Sequence, residues 1–172
     1  VDAAPNDLAS RRRYAEALHE AGQTKEALTQ VVSALDAAET LPQKLSLISW
    51  CVTWDDDFQI VQDLRPELEV RRLRDPRQYE DTTRCLVELL MQVGQQQDAL
   101  NLLMEIQMRD PSDVAKMLEI VRFAQQADEL DTAIRFQREV VKIDDRSDQQ
   151  QKLARLLRQH HQPLAALEIW DR

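Results

Sequence analysis

Apolar side chains recur at spacings of three and four residues in several separate segments, which is the pattern of helices that bury one face. Four such groups are Tyr14, Ala15 and Leu18; Leu86, Leu90 and Val93; Ile120, Val121 and Ala124; and Leu153, Ala154 and Leu157. The pattern predicts an all-α protein in which each group lies on one amphipathic helix.

A short pattern follows each group: a turn residue, and an alanine five residues later. The pairs are Gly22 and Ala27, Gly94 and Ala99, Asp128 and Ala133, and His161 and Ala166. The alanines are 72, 34 and 33 residues apart, which indicates a repeat with one degenerate copy in the long interval. Glycine suits the left-handed end of a first helix, and alanine lets a second helix cross it closely.

Helix boundaries are also visible in the sequence. Pro111 is expected to end a second helix, since proline cannot continue the hydrogen-bond ladder and restrains the residue before it. Asp144 and Asp145 mark the same place one repeat later. Ser147 with Gln150 three residues on is a capping-box pattern, which predicts the start of the next helix.

Residues 41–79 lack the turn pattern and are interpreted as a degenerate or lengthened repeat. One helix is expected over residues 41–54 and a second from near Phe58, which follows three aspartates. Pro66 is expected to break or restart that second helix. Its apolar surface would consist of Leu64, Leu68, Val70 and Leu73.

The amino-acid composition agrees with a helical protein and argues against some classes of binding partner. Two glycines in 172 residues cannot supply the tight turns of a sandwich or a doubly wound sheet. A net charge of −9 argues against binding nucleic acid, because that requires Lys and Arg to neutralise phosphates. No run of 18 apolar residues occurs, so no transmembrane helix is expected.

These features resemble the tetratricopeptide repeat (TPR) family. The residues that carry the resemblance are Gly22, Ala27 and Ala34; Gly94, Ala99 and Pro111; and Ala133 and Ala166. The resemblance implies a right-handed α-solenoid of four to five antiparallel helix hairpins, forming one segment over residues 1–172. The expected repeats cover residues 8–40, 41–79 (degenerate), 80–113, 114–147 and 148–172 (truncated).

The chain departs from the family pattern at a few places. Asp128 and His161 replace the turn glycine, and Gln137 stands where an apolar or aromatic residue is usual. Pro5 falls where Pro111 would fall in a preceding repeat, and the last residues look like an unfinished amphipathic helix. We therefore interpret the sequence as a fragment of a longer array.

The resemblance also implies a binding surface, because the first helix of each TPR pair lines the concave groove. The residues expected there are Arg12, Glu16, Glu20, Arg84, Glu88, Arg122, Arg155 and Arg158. The basic end of this set suits an acidic partner segment through Arg–carboxylate hydrogen bonds, although the charges could merely keep the groove soluble. Glu16 and Glu88 stand where the family's carboxylate clamp needs Asn, so that clamp is not expected.

Two pairs of side chains allow more than one interpretation. Trp50 and Trp54 share a helix face at a spacing of four, either as core packing or as an aromatic anchor for a partner. Cys51 and Cys85 fit buried thiols better than a disulfide and indicate no compartment.

No pattern of catalytic or metal-binding residues stands out. His19, His160 and His161 lack metal-ligand spacing and are expected in turns or in solvent. Residues 55–57, all aspartate, lack the alternating ligands of a calcium loop and are expected to start a helix. Nucleophile elbows, phosphate loops and dinucleotide-binding motifs are absent from the sequence, so neither an enzyme nor a cofactor is predicted.

The sequence thus favours a protein-interaction scaffold that takes a partner segment in its groove. The alternative is a structural spacer or self-assembly segment, for example the periplasmic TPR region of a bacterial secretion or exopolysaccharide-export machine. Exposed Leu164, Leu167 and Ile169 on the last helix would permit self-association. Both a cytoplasmic and a periplasmic location remain open.

Overall fold

The computed structural model describes residues 8–54 and 59–170, and these residues form ten helices without strands. In chain order they are α1 (Leu8–Glu20), α2 (Thr24–Ala37), α3 (Leu41–Val52), α4 (Gln59–Arg74), α5 (Tyr79–Gln92), α6 (Gln96–Arg109), α7 (Val114–Gln126), α8 (Leu130–Ile143), α9 (Ser147–Gln159) and α10 (Pro163–Trp170). The all-α prediction is confirmed, and α6 and α8 end just before Pro111 and Asp144 as expected.

The chain divides into two compact units, residues 1–95 and 96–172. In the first unit α1 packs on α2, and α3, α4 and α5 pack on one another. In the second unit α8 packs against both α7 and α9, and α10 packs on α9. The single continuous segment predicted for residues 1–172 stays a prediction.

Four turns share one left-handed geometry. Their φ values are +76° at Gly22, +74° at Gly94, +58° at Asp128 and +56° at His161. In each turn the next backbone N–H reaches back five residues, as when Gln23 donates to the carbonyl oxygen of Leu18 at 2.9 Å. This bond satisfies a carbonyl that the helix end would otherwise leave without a partner. The turn prediction is confirmed, including the two positions without glycine.

The alanines of the repeat pattern are buried, as small residues in a helix contact are expected to be. Ala27, Ala99 and Ala133 are fully buried, and Ala166 is 1% exposed. Ala15, on α1, is fully buried as well. A larger side chain at these positions would force the helices apart or leave its rotamer minimum.

Pro66 does not break its helix, and that prediction was wrong. Helix α4 runs without interruption through Pro66, which is exposed. The cost of the missing N–H is limited because solvent can satisfy the freed carbonyl on that side. Of the four residues assigned to its apolar surface, Leu64 and Leu68 are buried, whereas Val70 and Leu73 are 51% and 72% exposed. The expected start near Phe58 lies outside the described residues.

Two further local predictions fail. Ser147 is the first residue of α9 and Arg146 is its N-cap, so the predicted capping box does not form there. The capping box occurs instead at Thr40 and Gln43, where Gln43 Oε1 accepts from the N–H of Thr40 at 3.1 Å. Tyr14 is 54% exposed rather than part of the buried face of α1.

The turn geometry predicts the effect of substitutions at Gly94. A Cβ at this position would meet no atom within 4 Å, so only backbone conformation is at stake. Gly94→Ala should lower the free energy of unfolding by about 1 kcal/mol, because an L-residue pays to hold a left-handed φ. Denaturant unfolding followed by circular dichroism measures this. Gly94→Asn is the matched control and should lose less, and equal losses would contradict the argument.

The two thiols predict a dependence on pH. Both cysteines are free and buried, and burial raises the pKa of Cys51 and of Cys85 from 9.0 to about 12. Folding therefore favours the protonated thiols, so the free energy of unfolding should fall as pH rises from 9 to about 12. At pH 8 the native thiolate fraction is about a thousandfold below the unfolded one, so iodoacetamide should label the cysteines only after unfolding in urea. Rapid native labelling would contradict this.

Candidate functional site

In the first unit, an aromatic cluster joins α1 to α3. The guanidinium of Arg12 lies 4.5 Å from the ring centroid of Trp50, a cation–π contact. The rings of Trp50 and Trp54 meet edge to face at 4.5 Å. The helix expected over residues 41–54 ends at Val52, so Trp54 lies in the turn just after α3. Trp54 in turn stacks on His19 of α1 at 4.9 Å. Arg12, expected in the groove, therefore lies on α1 and contacts α3.

His19 was expected in a turn or in solvent, and that prediction was wrong, because it lies half-buried on α1 within this cluster. Its Nε2 lies 3.1 Å from the backbone carbonyl oxygen of Trp54, so Nε2 carries the proton and donates it. Nδ1 of His19 and Nε1 of Trp54 are buried and have no hydrogen-bond partner among the described residues. Both indoles are half-buried. Trp50 and Trp54 thus pack against neighbouring side chains and also keep part of their surface in solvent. This arrangement is compatible with both core packing and an aromatic anchor for a partner.

The face shared by α3 and α5 uses its polar groups internally. Ser49 donates to Glu88 Oε1 at 2.9 Å, and Gln92 donates to the same oxygen at 2.8 Å. Arg84 pairs with Glu80 on its own helix at 3.3 Å. Of the residues expected in the groove, Arg84 and Glu88 are therefore half-buried and engaged.

Glu16 and Glu20 on α1 are exposed to solvent, as a partner-binding role requires. An open pocket of about 520 Å³ lies between the start of α1 and α3. Its lining includes Arg12, Pro42 and Ser46. The structure brings Arg12, but neither glutamate, to this pocket.

In the second unit a groove of about 360 Å³ opens between α7 and α9. We call it the α7–α9 groove; its polar lining is Arg122 and Gln125 from α7, Gln137 from α8, and Lys152, Arg155 and Gln159 from α9. Helix α8 forms the floor because it packs against both neighbours. Arg122 and Arg155, expected on a shared surface, both line this groove, whereas Arg158 is exposed and lies outside the lining.

Sequence reasoning missed part of this groove. Lys152 lies three residues before Arg155, on the same side of α9, and that spacing could have revealed it. Gln125 and Gln159 follow Arg122 and Arg155 at spacings of three and four residues. The role of all these side chains toward a partner stays a prediction.

Gln137 is the residue in which the groove floor departs most from the repeat pattern. It is completely buried, and its Nε2 donates to the backbone oxygen and to Oε1 of Gln149, both at 3.1 Å. Its own Oε1 accepts no hydrogen bond from any residue that the structure describes. The sequence marked Gln137 as unusual, and the structure explains the residue as a polar link between α8 and α9.

Other candidate chemistry is modest in the part of the chain that the structure describes. No group of three or more His, Cys, Asp or Glu side chains there could hold a metal ion. His160 lies 3.4 Å from Asp131, and the side chain of His161 is exposed in its turn. The aspartates at 55–57 lie outside the described residues. No helix in the described part is long and apolar enough to cross a membrane.

Comparison with known proteins supports the fold. The chain is similar to MamA (residues 41 to the end) from Desulfovibrio magneticus RS-1, with a TM-score of 0.50 and 15% identity. The match covers 98% of this chain and 94% of the MamA chain. Nearly identical TPR-like repeats from Podosopora anserina match across 99% and 94%, with a TM-score of 0.50 and 22% identity. No family model and no curated protein matches the sequence. The chain has a TPR-like helical-repeat fold.

Gln137 generates a prediction about the groove floor. In Gln137→Glu a carboxylate would face two acceptor oxygens of Gln149 in a buried site, which should cost about 3 kcal/mol or more of unfolding free energy at pH 7. The matched variant Gln137→Met removes the unpartnered oxygen together with the donor and should cost about 1 kcal/mol. Lowering the pH should restore part of the Glu variant's stability, because a protonated carboxyl can donate. Urea unfolding at pH 7 and 5 measures this, and equal losses at both pH values would contradict it.

Proposed function

We propose that this protein is a non-catalytic protein-interaction scaffold that binds a segment of a partner protein on the grooves formed by its first helices. The observation that carries the proposal is the α7–α9 groove, whose arginines are exposed and take part in no internal ion pair of the described chain. Because neither arginine is paired with a carboxylate among the described residues, both charges are available to a ligand.

The first unit supports the same role. Arg12 and half-buried Trp50 present a cation and an aromatic ring together beside an open pocket. Trp and Arg are enriched among the residues that dominate binding energy at protein interfaces. Helix packing already fixes both side chains, so little conformational entropy would be lost on binding.

A protein is a better partner than a nucleic acid. The chain carries a net charge of −9, so a polyphosphate would be repelled over most of the surface. The grooves instead combine amide, aromatic and cationic groups, which suit the mixed surface of a peptide or helix.

A structural spacer or self-assembly segment is the second candidate, for example in the periplasmic part of a larger bacterial secretion or exopolysaccharide-export protein. The observation that favours self-association is the exposure of Leu164 and Leu167 on α10, at 77% and 51%. Apolar side chains exposed together on one short helix can pair with another copy.

Partner capture followed by face mapping tests the proposal. The 172-residue chain would be used as bait, the captured protein identified by mass spectrometry, and its binding measured with purified components. Glu16→Arg on α1 should change the dissociation constant about fivefold or more, because the residue lies on a first helix. Glu26→Arg is the matched control on α2, since it is exposed and makes the same charge change.

Two outcomes would contradict the proposal. The binding face is wrong if Glu26→Arg alters affinity and Glu16→Arg does not. The scaffold itself fails if no protein binds more tightly than about 100 μM. A mass that grows with concentration, and returns to monomer in Leu164→Gln/Leu167→Gln, would then favour self-assembly.

A further inference from the structure

The α7–α9 groove has an unusual balance of charge for this protein. The chain contains 31 acidic and 22 basic residues, yet the charged side chains that line the groove are Arg122, Lys152 and Arg155, all cations. Within the described residues no carboxylate belongs to the lining. The groove is therefore a local positive site on an acidic molecule.

Two of the three cations have no internal counter-ion. The described contact of Arg122 is a cation–π contact with the ring of Phe123 at 5.1 Å, and neither Arg122 nor Arg155 joins an ion pair in the described chain. Lys152 is partly neutralised by Asp148, at 3.7 Å. An arginine that is not paired keeps its full set of N–H donors for a ligand.

The geometry places these donors on opposite walls. Arg122 comes from α7 and Arg155 from α9, and the two helices are held apart by the α8 floor. A single carboxylate can accept two parallel hydrogen bonds from one guanidinium. Two arginines on facing walls thus suit a ligand that offers more than one carboxylate.

The rest of the lining indicates a peptide. Gln125 and Gln159 add exposed amides that can both donate and accept hydrogen bonds, as a peptide backbone needs. The lining also includes Leu118, which is half-buried. Three cations beside amides and an apolar wall suit a short acidic peptide better than an extended phosphate backbone, which needs a longer positive surface.

We propose that the α7–α9 groove binds an acidic segment of the partner protein, with Arg122 and Arg155 each gripping a carboxylate. This inference rests on the proposed scaffold function and specifies the chemistry of its partner. Lys152 contributes a third, partly shared charge, and Gln125 and Gln159 hold the peptide backbone.

Fluorescence polarisation with defined peptides tests the inference. The probe is a short fluorescein-labelled peptide that alternates Glu with Ser, and the comparison is the same peptide with Gln in place of Glu. The acidic peptide should bind and the Gln peptide should not. Arg122→Glu/Arg155→Glu should weaken binding about tenfold or more, and added salt should weaken it further.

The matched control is Arg135→Glu/Arg138→Glu. It makes the same change in net charge with two exposed arginines of α8 that are not part of the groove lining. Binding should change by less than about twofold in this variant. Circular dichroism spectra would show that both double variants remain helical.

Three results would overturn the inference. Equal weakening in both double variants would mean general charge attraction. A single-stranded oligothymidylate that binds as tightly as the acidic peptide would mean phosphate recognition. A captured partner whose affinity is unchanged by Arg122→Glu/Arg155→Glu, and which the acidic peptide does not displace, would remove the acidic groove while leaving the scaffold function intact.

Discussion

The structure depends on how four of its helices, α1, α5, α7 and α9, end. A residue in the left-handed conformation lets the following N–H satisfy a carbonyl five residues back, and this bond reverses the chain within a few residues. The alanine five residues after each of these turns is buried. Without that turn the apolar faces would have no partner, since a single helix of 13 or 14 residues is barely stable alone in water.

The same constraint explains why the fold could be predicted from sequence. Gly22 and Gly94 predict the turn because glycine favours a left-handed conformation. The alanine five residues later predicts which face of the second helix is buried. Asp128 and His161 occupy the same conformation without glycine, and only the repeat spacing identified them. The repeat spacing is absent around Pro66, so only the low helix propensity of proline could be used, and it predicted a break in the helix. The helix continues instead, because the buried Leu64 and Leu68 stabilise it through tertiary packing.

The candidate site could be predicted less completely. Periodicity places Arg122 and Arg155 on the open sides of their helices, and the structure brings them to one groove. Periodicity does not show which polar side chains already form hydrogen bonds within the protein. Glu88 is bound by Ser49 and Gln92, and that depends on how α3 and α5 pack, which no pattern within one helix encodes. For Gln137, in contrast, the unusual residue type is visible in the sequence, but its reason, a hydrogen bond to another helix, is visible only in the structure.

The unpaired state of Arg122 and Arg155 has a consequence for how such a protein can change. Because neither side chain joins an ion pair in the described chain, replacing either one costs little folding stability. Selection, or a protein engineer, can therefore rewrite the charge of this groove while the buried alanines and turns keep the helices in place. In that sense the charge of the α7–α9 groove can change almost independently of the fold that carries it.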